Sequence, residues 1–332
     1  MEKGLRRGMK VLVTGGAGYI GSHMTKVLLD KGHEVTVADN LERGFQEAID
    51  SRAHFSNGDL RDKKYVETLF AENHFDGVIH FAAYIAVGES MQHPEMYFEN
   101  NFSGALNVLE SMRKSGTNNF IFSSTAAVYG TPTKLPISEN DPKKPENPYG
   151  ESKYMVEKLL HWLNQIHGIN FVALRYFNAS GASLDASTGE RHSPETHIIP
   201  SIIKAVQEKR SFKLFGDTYN TPDGSCVRDY IHVLDLCEAH VLALEKLVKD
   251  GGGNFYNVGT GKGYSNKEIV AMVEKVSGAK IDVEVMGKRE GDPDQLVADA
   301  TKIKEELGFA PQYSDLETII KTAWQWHNRD EK

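Results

Sequence analysis

The sequence predicts an α/β protein with a doubly wound parallel sheet and a second, smaller domain of mixed α/β structure. Two observations predict this fold class. Short β-rich runs alternate with segments whose apolar residues recur at helical spacing, which is typical of parallel strands joined by right-handed helical crossovers. After Phe177 the alternation loosens, with Gly and Ser over residues 180–189 and mixed short elements beyond. We therefore expect a second domain to begin near residue 179.

The β-rich runs predict six strands in the first half of the chain. In order they are KVLVT (10–14), EVTVAD (34–39), AHFSNGD (53–59), GVIHFA (77–82), NFIFSS (119–124) and NFVALRYF (170–177). Residues 131–148 hold five of the eleven prolines and predict a loop over the sheet, and a helix is expected near 197–209. We expect a first domain over 9–178, completed by a segment within 228–260, and a second domain over 179–332.

Composition excludes several classes of protein. The 332 residues carry a formal charge of −8 without a basic tract, which argues against nucleic acid as a partner. We see no run that is long and apolar enough to span a bilayer. The only cysteines, Cys226 and Cys237, have no metal-binding spacing. We expect a cytoplasmic protein with reduced thiols, no membrane partner and no metal site.

A glycine motif follows the first predicted strand and opens a helix. Gly15, Gly18 and Gly21 would permit a tight turn, close approach of a phosphate, and close packing of helix on strand. Asp39 ends the second strand, where a carboxylate accepts hydrogen bonds from ribose hydroxyls and repels a 2′-phosphate. The pattern predicts a Rossmann-type site for NAD rather than NADP, although Arg43 is a mild signal for the phosphorylated cofactor.

The ends of the next strands supply further candidates. Asp59 and Leu60 follow the third strand, and the Asp59 carboxylate could meet the adenine amino group or cap the following helix; both readings stay open. Residues 81–83 place small side chains where backbone could face the cofactor. His80 is expected to be a packed core histidine.

A second motif predicts proton transfer. Tyr149 and Lys153 are four residues apart, on one face of a predicted helix. Tyrosine's ordinary pKa near 10 is too high for a base at neutral pH, and a neighbouring ammonium favours the phenolate. The preceding strand ends in Ser123, Ser124 and Thr125, and a hydroxyl there could share the reacting oxygen of a substrate with Tyr149.

Seven segments together resemble the UDP-glucose 4-epimerases, within the extended short-chain dehydrogenase/reductase family. They are TGGAGYIGSH, HFAAYIAVGES, FIFSSTAAVYG, NPYGESK, LRYFNASGA, GSCVRDYIHV and KREGDPDQLVADA, in order from residue 14 to 300. The resemblance implies an isomerase of galactose metabolism that retains NAD and interconverts UDP-galactose and UDP-glucose through a 4-keto sugar. Tyr149 would take the proton of the 4-hydroxyl. Thr125 stands where the family usually has serine and would bind the same oxygen.

The resemblance also implies the binding residues and a homodimer formed by the helices within 93–115 and 149–167. The NAD contacts would be Gly15, Gly18, Tyr19, Ile20, Gly21, Asp39, Asn40, Asp59, Leu60, Phe81, Ala82, Ala83, Asn100, Ser123, Ser124, Tyr149, Lys153 and Phe177. The UDP-sugar contacts would be Thr125, Tyr149, Asn178, His197, Ile198, Lys213, Leu214, Phe215, Arg228, Arg289, Asp292 and Leu296. Arg228 and Arg289 suit a diphosphate because guanidinium groups bind phosphate oxygens in pairs; ion pairs with Asp229 and Glu290 are the alternative.

Two departures from the family pattern bear on specificity. Ile85 replaces a frequent lysine, so one basic contact to the cofactor is missing. The resemblance places Leu296 beside the sugar's 2-substituent, where forms restricted to glucose and galactose carry a bulky aromatic residue. N-acetylated sugars could therefore enter, and a 4-epimerase for UDP-N-acetylglucosamine or for UDP-glucuronate stays open. A 4,6-dehydratase is disfavoured because Ala126 and Ala127 cannot transfer protons. A non-enzymatic NAD sensor is disfavoured because Tyr149 and Lys153 are both present.

Overall fold

The computed structural model describes residues 8–288 and 293–329. Its strands, numbered in chain order, are β1 (Lys10–Thr14), β2 (Glu34–Asp39), β3 (His54–Asn57), β4 (Gly77–His80), β5 (Asn119–Thr125), β6 (Asn170–Tyr176), β7 (Asn178–Ser180), β8 (Phe212–Phe215), β9 (Val227–His232), β10 (Gly253–Val258), β11 (Gly263–Ser265), β12 (Val283–Met286) and β13 (Gln295–Leu296).

Helices separate most of these strands. The α-helices are α1 (Tyr19–Asp30), α2 (Lys63–Glu72), α3 (Val87–Ser90), α4 (Pro94–Tyr97), α5 (Gly104–Ser115), α6 (Pro148–His167), α7 (Ile198–Gln207), α8 (Val233–Asp250), α9 (Asn266–Ser277), α10 (Thr301–Leu307) and α11 (Leu316–His327). Short 3₁₀ turns lie at Gln46–Ala48 and Ala126–Tyr129, and a π-helical turn at Phe98–Ser103 joins α4 to α5. No helix in the described ranges combines the length and apolar character needed to cross a bilayer.

The main sheet has seven parallel strands in the order β10-β6-β5-β4-β1-β2-β3. From β1, the chain first adds β2 and β3 on one side and then β4, β5 and β6 on the other. This reversal in the order of the strands is the feature of a doubly wound sheet, so the predicted fold class is confirmed. Each of the six predicted β-rich runs contains one strand, although β3 and β4 are shorter than predicted. The seventh strand, β10, lies within the 228–260 segment and pairs with β6.

Both faces of the sheet are buried, which explains the near-continuous apolar runs of its strands. Successive side chains of a strand point to opposite faces. Val11 and Val13 therefore pack against α1 and α8, while Leu12 packs toward α2, α5 and α6 on the other face. The long α8 lies beside α1 and under β5 and β6, so a helix from the second half of the chain covers the first half's sheet.

A second core forms beyond residue 178. Helices α7, α9 and α11 pack together around Ile202, Ile269 and Ile319, each fully buried. Strand β9 pairs with β7, β11 and β13, and β8 pairs with β12. In the chain, β7 and β11 directly follow the carboxyl ends of β6 and β10, and these ends are where open α/β sheets bind ligands.

Candidate active site

The glycine turn is built so that strand and helix meet closely. Gly15 has φ +72°, and a Cβ there would lie 2.5 Å from the backbone nitrogen of Ala82. A Cβ on Gly21 would lie 2.2 Å from the carbonyl oxygen of Gly15. Gly18 is the N-cap residue of α1 and brings no side chain. The N–H groups of the first turn, which have no partner inside any helix, are therefore open to an anionic group.

The two residues that follow Gly18 in the glycine turn, Tyr19 and Ile20, make different contacts. The hydroxyl of Tyr19 donates to the carbonyl of Gly181, 2.7 Å away, and its pKa is raised by burial. The Tyr19 side chain therefore connects α1 to Gly181. Only the backbone N–H of Tyr19 is then available to donate to a cofactor phosphate. Ile20 packs against the core beneath the sheet.

Asp39 ends β2 beside this turn. Its carboxylate accepts from the backbone nitrogens of Ala17 at 3.0 Å and Leu41 at 2.8 Å, and burial raises its pKa. Arg43 is engaged elsewhere, because its guanidinium lies 2.8 Å from the carboxylate of Glu89. The site is therefore arranged for a free ribose hydroxyl rather than a phosphate.

Asp59 is not a helix cap, so that alternative was wrong. The cap of α2 is Asp62, which accepts from the backbone nitrogens of the first turn. The guanidinium of Arg61 lies 2.5 Å from the Asp59 carboxylate and lowers its pKa, and the Asn40 amide donates to the same group at 3.2 Å. Leu60 is buried between α2 and α5.

The segment after β4 is held by an asparagine that the sequence reading missed. Phe81 and Ala82 donate their backbone N–H groups to the carbonyl of Thr14, which carries the chain past the glycine turn toward Ala83. The buried side chain of Asn101 bonds both backbone groups of Tyr84 and the hydroxyl of Ser152 on α6. Its neighbour Asn100 donates to Asn101. His80 is a buried core histidine as expected, contacting Thr14 at 2.8 Å.

Tyr149 and Lys153 lie in the first two turns of α6. Asn147 caps this helix, accepting from Gly150 at 2.8 Å, and Pro148 occupies its first position, so the sequence fixes the helix start. Lys153 is buried; its ammonium donates to the carbonyl of Ser123 at 2.8 Å and lies 5.0 Å from the ring centre of Phe122. Burial lowers the pKa of Lys153 to about 7.

Thr125 brings the end of β5 to Tyr149. Burial raises the pKa of Tyr149, and a hydrogen bond with the Thr125 hydroxyl opposes that rise. The same threonine oxygen accepts from the backbone nitrogen of Ala127 at 3.1 Å. The half-buried phenol, the threonine hydroxyl and the buried lysine thus share one edge of the sheet.

Ser123 and Ser124 point to opposite faces of β5, as strand geometry requires. The Ser123 hydroxyl contacts the hydroxyl of Tyr176. The Ser124 hydroxyl donates to Glu157 at 2.6 Å, inside the interface between sheet and α6. Ser124 therefore lies on the face opposite Ser123 and Thr125.

Glu157 and Arg175 form a buried network behind the site that the sequence reading also missed. The guanidinium lies 2.6 Å from the carboxylate, with side chains only 3% and 1% exposed. Arg175 also donates to the hydroxyl of Tyr129 at 2.9 Å, which in turn donates to Asn257 of β10. This network joins β5, β6, β10 and the catalytic helix.

Several residues predicted to contact the UDP-sugar lie on neighbouring strands of the small sheet around β9. Asn178 lies on β7, which pairs with β9, and Leu296 of β13 is in register with Arg228 of β9. Leu296 and Phe177 pack against the same small cluster, around Tyr129. The Asp229 carboxylate accepts from Thr260, Gly261 and Ala298, so it faces away from Arg228 on the opposite side of β9.

The remaining candidates lie farther along the chain. His197 is the N-cap residue of α7, and Ile198 begins that helix. On β8, Lys213 is exposed, Leu214 is buried and Phe215 is half-buried. Arg289 and Asp292 lie outside the described residues.

Residues 11–259 match the NAD-dependent epimerase/dehydratase family, over the stretch that holds the glycine turn, Tyr149 and Lys153. The chain belongs to this family. The comparison confirms the predicted resemblance, the fold class and NAD as the cofactor.

Individual relatives match the chain over nearly its whole length. It is 49% identical to a UDP-glucose 4-epimerase of Streptococcus mutans serotype c, over 96% of this chain and 97% of that protein. A crystal structure of a UDP-glucose 4-epimerase superposes with a TM-score of 0.94 at 47% identity, covering 97% of this chain and 100% of that one. The Brucella ovis UDP-glucose 4-epimerase in complex with NAD gives a TM-score of 0.92 at 45% identity, covering 95% and 97%.

Proposed function

We infer that this chain is an NAD-dependent isomerase that interconverts UDP-galactose and UDP-glucose by inverting C4 of the sugar. One observation carries the inference: Tyr149, Thr125 and Lys153 meet at the end of β5, beside a glycine turn shaped for NAD. The near full-length similarity to UDP-glucose 4-epimerases supports the choice of substrate and reaction.

The described residues fit NAD. Gly15 and Gly21 leave no room for a Cβ where strand and helix meet, and Gly18 leaves the start of α1 open for the pyrophosphate. Asp39 stands ready for the adenosine ribose. When bound, NAD supplies the acceptor and later the donor of one hydride.

The protein's own groups move the proton and hold the sugar. Tyr149 takes the proton of the 4-hydroxyl and returns it at the end. Thr125 holds the same oxygen through its hydroxyl. Lys153, fixed by the carbonyl of Ser123, places positive charge near the phenol and favours the phenolate. Rotation of the 4-keto sugar between the two transfers exposes its other face, and the product then differs only at C4.

The nucleotide end of the substrate would meet the second core. We propose that Arg228, together with Arg289, binds the diphosphate, and that Asn178, Phe215 and the start of α7 border the uridine and sugar. The support is that β9 turns Asp229 away and brings Arg228 into register with Leu296. On this proposal residues 9–178 with a segment of 228–260 bind NAD, and the rest of the chain binds the nucleotide sugar.

A dehydratase of the same family would need an acid and a base beside C5 and C6 of the sugar. The 3₁₀ turn after Thr125 begins with Ala126 and Ala127, whose methyl groups cannot transfer protons. Epimerisation needs neither group. The turn therefore favours the epimerase.

We further propose that the chain acts as a cytoplasmic homodimer. Trp162 and Ile166 lie one turn apart on α6 and are 58% and 65% exposed. Apolar side chains exposed side by side are typical of interfaces. Both free cysteines are buried thiols, which suits a reducing compartment.

Replacing Tyr149 by phenylalanine tests the mechanism. We expect turnover of UDP-galactose to fall by about 10²–10⁴-fold, because the general base is lost, while bound NAD is retained. The rate is followed with a coupled assay for UDP-glucose, and NAD is measured after denaturation of the purified protein. Tyr154→Phe is the control, since Tyr154 lies on the same helix and contacts Lys158 instead. A Tyr149→Phe protein with the wild-type rate would overturn the mechanism.

A further inference from the structure

Two histidines and two glutamates converge in the segment that leads into α7. Glu190, His192, Glu195 and His197 each offer one ligand atom, and these four atoms all lie within 4.8 Å of one another. Glu190 is buried at 6% exposure, and the other three are half-buried. Neither proton transfer nor NAD binding uses this cluster, and of its four members only His197, at the start of α7, also belongs to the proposed substrate border.

The separations of His192 from the two carboxylates are close to those of a tetrahedral metal site. For metal–ligand distances of about 2.0–2.2 Å, ligand atoms of a tetrahedron lie about 3.3–3.6 Å apart. His192 Nδ1 lies 3.3 Å from Glu190 Oε1 and 3.7 Å from Glu195 Oε2. His197 Nδ1 lies 2.7 Å from Glu190 Oε1 and 3.5 Å from Glu195 Oε1. With Glu195 Oε2 as the ligand, the distance from His197 to Oε1 is not part of the tetrahedron. The two His192 distances are within about 0.1 Å of tetrahedral spacing, and the His197–Glu190 distance is about 0.6 Å too short.

The histidine nitrogens in the cluster face its two carboxylates. The Nδ1 atoms of His192 and His197 are shielded from solvent, and among the described residues neither has a hydrogen bond of acceptable geometry. A cation at the centre of the four atoms would be a partner common to both nitrogens and both carboxylates, in place of the two histidine–glutamate ion pairs.

Glu195 is already held in place for binding. Its Oε1 accepts from the backbone nitrogens of Thr196 and His197, each at 2.8 Å, which leaves Oε2 toward His192. The carbonyl of Glu190 accepts from the indole of Trp326 at 2.9 Å, so the other end of the segment is anchored to α11. Two carboxylates also balance the charge of a divalent cation.

We propose that Glu190, His192, Glu195 and His197 bind one zinc-like divalent ion. Imidazole with carboxylate in a tetrahedral arrangement suits zinc among the divalent metals. Four protein ligands close the coordination sphere, which is the feature of a structural rather than a catalytic site. The ion fixes the segment 190–197 against the first turn of α7, because His197 is both a ligand and the N-cap residue of that helix.

The test is a count of bound zinc in untagged, NAD-containing protein dialysed against metal-free buffer. We expect one zinc per chain for the wild type, and the loss of that zinc in His192→Gln and in Glu195→Gln. His74→Gln is the matched control, because His74 is exposed and distant in the chain from the cluster. Wild-type protein that takes up no zinc on titration, or ligand variants that keep it, would overturn the proposal.

Thermal unfolding of the wild type supplies a measurement that does not depend on folding of a variant. A chelator should lower the unfolding midpoint and added zinc should restore it, because an ion that binds only the folded state stabilises it. A midpoint that responds to neither would contradict the site. Epimerase activity is measured on the same preparation, so an inactive protein would count against the proposed function and not against the zinc count.

Discussion

A single side chain, Leu296, borders the space for the 2-substituent of the sugar in the proposed complex. It is half-buried against Val128 and Tyr129, and the pairing of β13 with β9 sets it beside Arg228. Leucine is shorter than an aromatic side chain, so the pocket has more room than in relatives restricted to glucose and galactose. We therefore propose that this residue sets substrate breadth without taking part in proton transfer.

Enlarging this residue should narrow the substrate range. We expect Leu296→Tyr to lower kcat/KM for UDP-N-acetylgalactosamine, relative to UDP-galactose, by about ten- to 200-fold, because a filled pocket rejects the larger group. Parallel assays with the two sugars on one preparation measure the ratio. Leu296→Met, which conserves volume, should leave the ratio near the wild-type value. An unchanged ratio in Leu296→Tyr would contradict this assignment.

Helix α6 is the element that holds the groups proposed for proton transfer. It carries Tyr149 and Lys153 on one side, and the next turn carries Glu157 into the sheet. Burial lowers the pKa of Arg175 and the ion pair with Glu157 raises it, with a net rise, so the guanidinium stays charged inside the protein. Removing one partner of a buried pair leaves the other charge uncompensated.

We expect Arg175→Met to lower the free energy of unfolding by about 3–5 kcal/mol and to reduce turnover as α6 shifts. Urea unfolding followed by circular dichroism gives the first quantity. Lys114→Met is the control, because its 2.7 Å pair with Glu67 is 53% and 42% exposed and is worth about 0–1 kcal/mol. A loss for Arg175→Met no larger than for Lys114→Met would contradict a structural role for the buried pair.

Local sequence patterns predicted α6 and the elements next to it, whereas contacts between residues far apart in the sequence were not predicted. The glycine turn, Asp39 and the start of α6 are defined within a few residues, so spacing alone reveals them. Asn101 bonds a serine 51 positions away, and Arg175 bonds a glutamate 18 positions away. The sequence of one chain carries no signal for such pairs.

Two further differences have local causes. Asp59 was a candidate cap because it is a carboxylate between a strand and the following helix, but a cap acts only at the residue that precedes the first turn, which is Asp62. Ser124 was grouped with Ser123 and Thr125, although the alternation of a strand already assigns it to the other face. Glu190, His192, Glu195 and His197 do lie close in sequence, but their spacing matches no familiar metal motif.

At the scale of the whole molecule, the exposed apolar pair on α6 bears on assembly. We expect the wild type to sediment as a dimer and Trp162→Glu combined with Ile166→Glu to sediment as a monomer, because two buried carboxylates would oppose the interface. Sedimentation velocity distinguishes the two masses. Leu184→Glu, at a 53% exposed position outside α6, should remain dimeric. A monomeric wild type would refute the interface.

The pairing of β6 with β10 has a consequence for synthesis of the chain. A ribosome releases β1 to β6 long before β10, because residues 177–252 lie between them. At about 5–20 residues per second, the gap lasts on the order of ten seconds. Until β10 is made, the outer edge of β6 is an unpaired strand, and α8 is made only near the end of this interval. Such unpaired edges recruit other chains. The nascent chain is thus most prone to aggregation while the NAD-binding sheet lacks only its last strand. Substitutions near residue 255, in β10, therefore destabilise a sheet whose first strand begins at residue 10.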